Sequence, residues 1–82
     1  MWVVYILRCS DQTLYTGITS DLERRLQEHN HDNKLAAAYT RSRRPVTLIY
    51  HETYTDRATA TKREAEIKKL SRQEKEQLIE NN

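Results

Sequence analysis

The stretch Val3-Val4-Tyr5-Ile6-Leu7-Arg8-Cys9-Ser10-Asp11-Gln12-Thr13-Leu14-Tyr15-Thr16-Gly17-Ile18-Thr19 decides the fold. In its first half Val3, Tyr5, Leu7 and Cys9 alternate with Trp2, Val4 and Ile6, and both sets are apolar. A strand with two apolar faces is covered on both sides, so it belongs at the centre of a sheet. Ser10, Asp11 and Gln12 are turn-formers, and the β-type pattern resumes from Leu14 to Thr19, which predicts a hairpin. With a three-residue loop, Cys9 faces Thr13, Leu7 faces Tyr15 and Tyr5 faces Gly17. Tyr5, Tyr15 and Gly17 then share one face of the sheet.

Outward from the hairpin, Ser20 with Glu23 reads as a capping box, and Leu22 and Leu26 supply the apolar stripe of a first helix ending at about His29. Asn30, His31, Asp32 and Asn33 terminate it. Pro45 precedes Val46 to Tyr54, a third strand rich in Val, Thr, Ile and Tyr. Asp56 or Thr55 caps the next helix, which runs to about Leu70 through Ala58, Ala60, Ala65 and Ile67. Ser71 with Glu74 forms another capping box and starts a short last helix. The expected architecture is α+β: a small three-stranded antiparallel sheet flanked by helices, in β-β-α-β-α-α order.

Residues 1–82 are expected to form a single domain, since a chain this short buries only roughly 60% of its unfolded surface. Hydrophobic residues are 37% and charged residues 32%, which suits a small globule with a solvated surface and not a disordered tail. Cys9 is the only cysteine, so no intramolecular disulfide forms and a reducing, cytoplasmic setting is expected. The apolar start from Met1 to Arg8 is too short for a signal peptide or membrane span. A net charge of +2 does not announce a nucleic-acid binder. Its distribution says more: Asn33 to Tyr50 lacks any acid and carries Lys34, Arg41, Arg43 and Arg44 around Tyr39 and Thr40. Such a segment can follow a phosphate backbone, or can be a solvated loop.

Gly17 is the only glycine, and it falls within a strand pattern. A strand glycine marks either a bulge or a place where something approaches the backbone closely. Arg25 and His29, four apart, share a helical face, and Arg25 borders the buried stripe while Arg24 points outward toward Glu28. A guanidinium there either takes an anionic partner such as phosphate or covers the core edge with its methylenes. Glu64 lies between Ala60 and Ile67 on one stripe, and a carboxylate so placed calls for a partner: a metal, or Lys68 one turn on. Cys9, His29, His31 and His51 are too scattered for a closed zinc site. Magnesium needs only one or two carboxylates beside water and substrate phosphate.

On these residues the chain resembles the GIY-YIG nuclease superfamily, and most closely its small stand-alone members. Val3-Val4-Tyr5 stands for the first motif and Tyr15-Thr16-Gly17 for the second, with Arg25 eight residues after Gly17, then His29, and Glu64 within Lys62-Arg63-Glu64-Ala65-Glu66-Ile67-Lys68. Val3 replaces the glycine that names the first motif, and no asparagine equivalent follows the glutamate short of Asn81 and Asn82. The resemblance implies a metal-dependent endonuclease hydrolysing phosphodiester bonds in DNA, including structured or branched DNA, with magnesium or manganese as cofactor. It implies Tyr5 as a general base toward water, Tyr15 orienting water or phosphate, or the two roles exchanged. It further implies Arg25 on the scissile phosphate, His29 at phosphate or in proton transfer, and Glu64 as sole metal ligand. Gly17, Thr19, Tyr39, Thr40 and Arg41 lie where the family contacts substrate. No attached DNA-binding domain is expected, so substrate choice rests with this domain or a protein partner.

Two further readings compete with the enzyme. One is a non-catalytic nucleic-acid module using the same groove, suggested by the acid-free segment and the missing asparagine. The other is a protein-interaction domain presenting its C-terminal helices, which Lys62, Lys68, Lys69, Arg72 and Lys75 make charged instead of apolar.

Overall fold

The computed structural model describes residues 1–81. Strands β1 (Trp2–Arg8), β2 (Leu14–Thr19) and β3 (Thr47–Tyr54) form an antiparallel sheet in the order β2-β1-β3, so the doubly apolar strand is central as its pattern requires. The hairpin register pairs Tyr5 with Gly17 and Leu7 with Tyr15, and the Cys9 amide donates to the Thr13 carbonyl across the loop. Gln12 takes the left-handed conformation, at φ 70°, that closes this turn.

Helices α1 (Leu22–His31), α2 (Ala38–Arg41), α3 (Arg57–Lys68) and α4 (Arg72–Glu80) complete the chain. One turn of helix, α2, interrupts the expected loop before β3; the order is otherwise as read. The first helix starts one residue later than the Ser20 capping box proposes. Asp21 is its N-cap, and its carboxylate accepts from the Arg24 amide, because Thr19 already holds the Asp21 backbone through its hydroxyl. The helix also runs to His31, two residues beyond the expected end. Asp56 caps α3 through the Thr59 amide, and Ser71 with Glu74 forms the full capping box of α4.

Each face of the sheet carries its own core. On one, Val4, Ile6 and Tyr50 pack against Ala60 and Ile67 of α3, with Leu14, Ile18, Leu78 and Ile79 around them. On the other, Tyr5, Leu7, Cys9 and Val46 pack with Leu22 and Leu26 of α1 and with Tyr15 and Leu48. The pairing of β1 with β3 slips between Ile6 and Leu7, where Tyr50 and Leu48 are successive partners. The two therefore serve opposite cores although strict alternation would put them on the same face.

Candidate functional site

Tyr5 is the centre of the site. Its ring is buried on the α1 face of β1 and lies over Gly17: a Cβ there would stand 2.5 Å from the Tyr5 Oη and 2.7 Å from its Cζ. Gly17 therefore marks close approach and not a bulge, and what approaches is the phenol.

The Tyr5 hydroxyl meets His29 Nε2 at 2.8 Å, and His29 Nδ1 meets Thr40 Oγ1 at 2.8 Å. Thr40 in turn donates its only hydroxyl proton to the Ala37 carbonyl at 3.1 Å. That donation favours one tautomer of His29. The Thr40 oxygen accepts, so Nδ1–H of His29 donates to it; Nε2 is then the bare nitrogen, and the Tyr5 hydroxyl donates to it. His29 is fully buried, and burial together with the nearby Arg25 and Arg44 charges, against the opposing pull of Glu28, holds it down to about 4, so the ring is neutral at ordinary pH. Burial pushes Tyr5 up to about 12 even though the Arg25 guanidinium beside it pulls the other way. The resting arrangement is thus a protonated phenol facing a neutral imidazole.

Arg25 borders the core as its spacing predicts, but its free-state partners are Glu28 Oε1 at 2.9 Å and the Leu35 carbonyl at 2.7 Å. Glu28 also reaches Arg24 at 3.7 Å. Tyr15 stands edge-on to His29, with centroids 5.3 Å apart, and stacks on Tyr39 at 5.9 Å. Arg43 lies 3.9 Å over the Tyr39 ring while its Nε binds Asp11. Tyr5, Tyr15, Arg25 and His29 are therefore brought together, with Tyr39 at their rim.

Glu64 comes from the opposite side of the sheet, on α3, which packs beneath β1 and β2. Its charge nevertheless acts on the Tyr5 phenol, raising it. Its direct contact is with Lys68 Nζ at 3.3 Å; the lysine side chain is 55% exposed and the Glu64 side chain 19%, so water reaches the pair from the lysine side. The remaining expectations divide. Thr40 is fully buried behind His29, so its hydroxyl serves the ring and is withdrawn from any surface a substrate could touch. Thr19 is likewise buried, its hydroxyl engaged with the Asp21 backbone at the start of α1. Each hydroxyl has a local backbone partner, Asp21 for Thr19 and the Ala37 carbonyl for Thr40, and Thr40 has the distant His29 ring besides. Arg41 is exposed and donates to the Ala36 carbonyl at 3.3 Å. No cavity is enclosed among the described residues, and the arrangement is an open surface.

Three residues went unanticipated as contributors: Glu28 as the partner of Arg25, Asn30, and Arg44. The Asn30 side chain bonds both backbone groups of Val46. Arg44 binds the end of α1. Asn30 and Arg44 carry a tertiary signal, joining segments 12 to 16 residues apart, whereas Glu28 stands one helical turn from Arg25, a spacing the sequence displays.

Residues 1–77 match the model of the GIY-YIG catalytic domain. A UPF0213 protein of Syntrophus aciditrophicus is 58% identical over 96% of this chain and 90% of its own length. Another, from Desulfotalea psychrophila, is 56% identical over 95% of this chain and 70% of its own length. The solution structure of a UPF0213 protein from Bacillus halodurans is 40% identical, with a TM-score of 0.64 over all of this chain and 86% of that one. No helix among the described residues is long and apolar enough to cross a membrane. GIY-YIG domains are those of nucleases, which act on nucleic acid. With that match across nearly its whole length, and with both tyrosine motifs, Arg25 and His29 meeting at one surface, this chain belongs to the GIY-YIG family.

Proposed function

We propose that the chain is a divalent-metal-dependent endonuclease that hydrolyses phosphodiester bonds in DNA, including structured or branched DNA. The observation that carries this reading is the hydrogen-bonded chain from Tyr5 through His29 to Thr40, with Arg25 beside the phenol. A phenol held at about 12 is a poor base alone. Tyr5 works instead as a relay: its oxygen takes a proton from the attacking water as its own proton passes to His29 Nε2. The water oxygen forms the new bond to phosphorus, the opposite P–O bond breaks, and the leaving oxygen is protonated from solvent. Arg25, released from Glu28 by the stronger claim of a phosphate, neutralises charge developing on the phosphoryl oxygens.

Glu64, whose charge reaches the Tyr5 phenol from the α3 side of the sheet, is the donor this reading offers to magnesium or manganese. Among the described residues no three His, Cys, Asp or Glu side chains cluster, and a single accessible carboxylate suits an ion that retains most of its waters. Glu64 would hold it, and what it supplies there is charge neutralisation at the phosphate.

Incubating the purified protein with single-stranded, duplex and branched DNA, with magnesium or manganese, tests the reading. Cleavage is expected with the native chain and is expected to fall at least about a hundredfold in Glu64→Ala and Arg25→Ala. Cleavage surviving unchanged in both variants would identify a contaminant and defeat the proposal. One observation favours a second reading, a non-catalytic nucleic-acid module: both charged groups the reaction needs are already paired, Arg25 with Glu28 and Glu64 with Lys68. That reading predicts salt-sensitive binding with no cleavage under either metal.

A further inference from the structure

Arg44 belongs to the basic stretch that sequence alone reads as either a phosphate track or a solvated loop, yet its guanidinium is turned inward. Its Nε donates to the carbonyl of His29 at 2.7 Å, Nη2 to the carbonyl of Asp32 at 2.9 Å, and Nη1 to Asn33 Oδ1 at 2.8 Å. The planar fork of donors is thereby spent on three acceptors at the C-terminal end of α1, where the helix dipole is negative; the Asp32 carbonyl among them also accepts from the Ala36 amide. One of those acceptors belongs to His29 itself. Two residues further along, Val46 is tied to Asn30 by a reciprocal pair of hydrogen bonds at 2.8 and 3.1 Å, so the chain entering β3 grips the last turn of α1 at successive points.

We infer that Arg44 is a positioning residue for the reaction: by holding the backbone of His29 and the end of its helix, it fixes the imidazole between Tyr5 and Thr40 and keeps a positive charge beside the ring. This rests on the reading of His29 as the acceptor of the Tyr5 proton. The groups facing His29 are Tyr5 from β1, Tyr15 from β2, Arg25 and Glu28 from its own helix, Thr40 from α2, and Arg44 from the segment before β3. Among the charged ones, Arg25 and Arg44 favour the neutral ring and Glu28 favours the protonated one. Removing Arg44 deletes one of the two cations and uncovers the helix carbonyls, and both changes favour the protonated ring.

The test uses the full chain, without metal or DNA for its first arm. The His29 ring nitrogens are followed by NMR through a pH titration in the native protein, Arg44→Gln and Arg44→Lys, with thermal melts to confirm folding. In Arg44→Gln the His29 titration is expected to move upward by about 0.5 pH unit. In Arg44→Lys, which keeps the charge but not the fork, it is expected to stay near the native value while the Nδ1 proton exchanges faster with water. The second arm is cleavage of DNA with magnesium: kcat falls about tenfold or more in both variants with KM unchanged, and the acid limb of the rate profile moves upward only in Arg44→Gln. An unmoved His29 titration in Arg44→Gln, or a rise in KM with a shallower salt dependence and unaltered kcat, overturns the inference and makes Arg44 a phosphate contact. If neither the native chain nor any variant cleaves DNA, the enzymatic reading fails, while the NMR arm still decides whether Arg44 governs His29.

Discussion

Two networks of buried tyrosine hydroxyls, one on each face of the sheet, look alike and differ in what their protons can do. On the α1 face, Tyr5 donates to His29. On the α3 face, Tyr50 and Tyr54 both donate to the Glu52 carboxylate, which also receives Arg63 through Nε at 2.8 Å and Nη2 at 3.1 Å. Burial pushes both Tyr5 and Tyr50 up to about 12. Their acceptors diverge. Burial alone would raise Glu52, but Arg63 and the two phenols outweigh it and hold the carboxylate down to about 2, so it resists taking a proton. His29 is also held down, to about 4, but stays the more basic of the two acceptors, and the charge of a nearby phosphate would favour its protonated form. A buried tyrosine therefore signals chemistry only when its acceptor can be protonated; otherwise it is a fastener, here between β3 and α3.

The largest effect that would break this comparison is on activity. Tyr5→Phe is expected to lower single-turnover cleavage by roughly 10²–10⁴-fold and Tyr50→Phe to leave the rate alone, while each loses about 1–2 kcal/mol of stability by stranding its acceptor. Equal rate losses in the two variants would erase the distinction. Gly17→Ala comes next. Its methyl would meet the Tyr5 hydroxyl at 2.5 Å, so the ring must shift off His29; a stability loss of about 1–3 kcal/mol is expected in urea melts, together with a rate loss approaching that of Tyr5→Phe.

The two networks should also separate along the pH axis. Glu52 has a folded value near 2, below its unfolded one, so its contribution is present above about pH 4.5 and is lost as pH falls toward 2. His29 is also lowered, from 6.5 to about 4, but it is a base whose neutral form the fold prefers. Between those values the unfolded chain binds more protons, so stability declines as pH falls from 6.5 to 4. Thermal melts across pH 2–7 should show both declines in the native chain, the lower one absent in Glu52→Gln and the upper one absent in a folded His29→Gln. The smallest effect concerns Glu64. Lys68→Ala should change stability by less than about 0.5 kcal/mol, because the lysine is exposed, yet it should lower the magnesium concentration needed for half-maximal cleavage by freeing the carboxylate. An unchanged metal requirement would count against Glu64 as the ligand.

Read along the chain, local physics was enough for the scaffold. Two-residue alternation set the β1–β2 register to the residue, so Tyr5 opposite Gly17 was legible, and Asp56, Ser71 and Glu74 announced their helix starts through side-chain capping. These are contacts within a few positions, where backbone geometry leaves few choices. Even there a neighbour could intervene: Asp21 displaced Ser20 as the cap once Thr19 bonded its backbone.

What the fold alone decided is who faces whom across 11 to 24 positions. The sequence by itself placed Arg25 and His29 on one helical face and Glu64 on an inner stripe of another helix. Only packing turned His29 between Tyr5 and Thr40, turned Arg44 onto the end of α1, and brought Arg63 to the Glu52 that strand alternation sets between Tyr50 and Tyr54. The physical reason is that periodicity constrains direction along a single element. A hydrogen bond between elements depends on the slip in the β1–β3 pairing, the length of the α2 turn and the competition among acceptors, which no local pattern encodes.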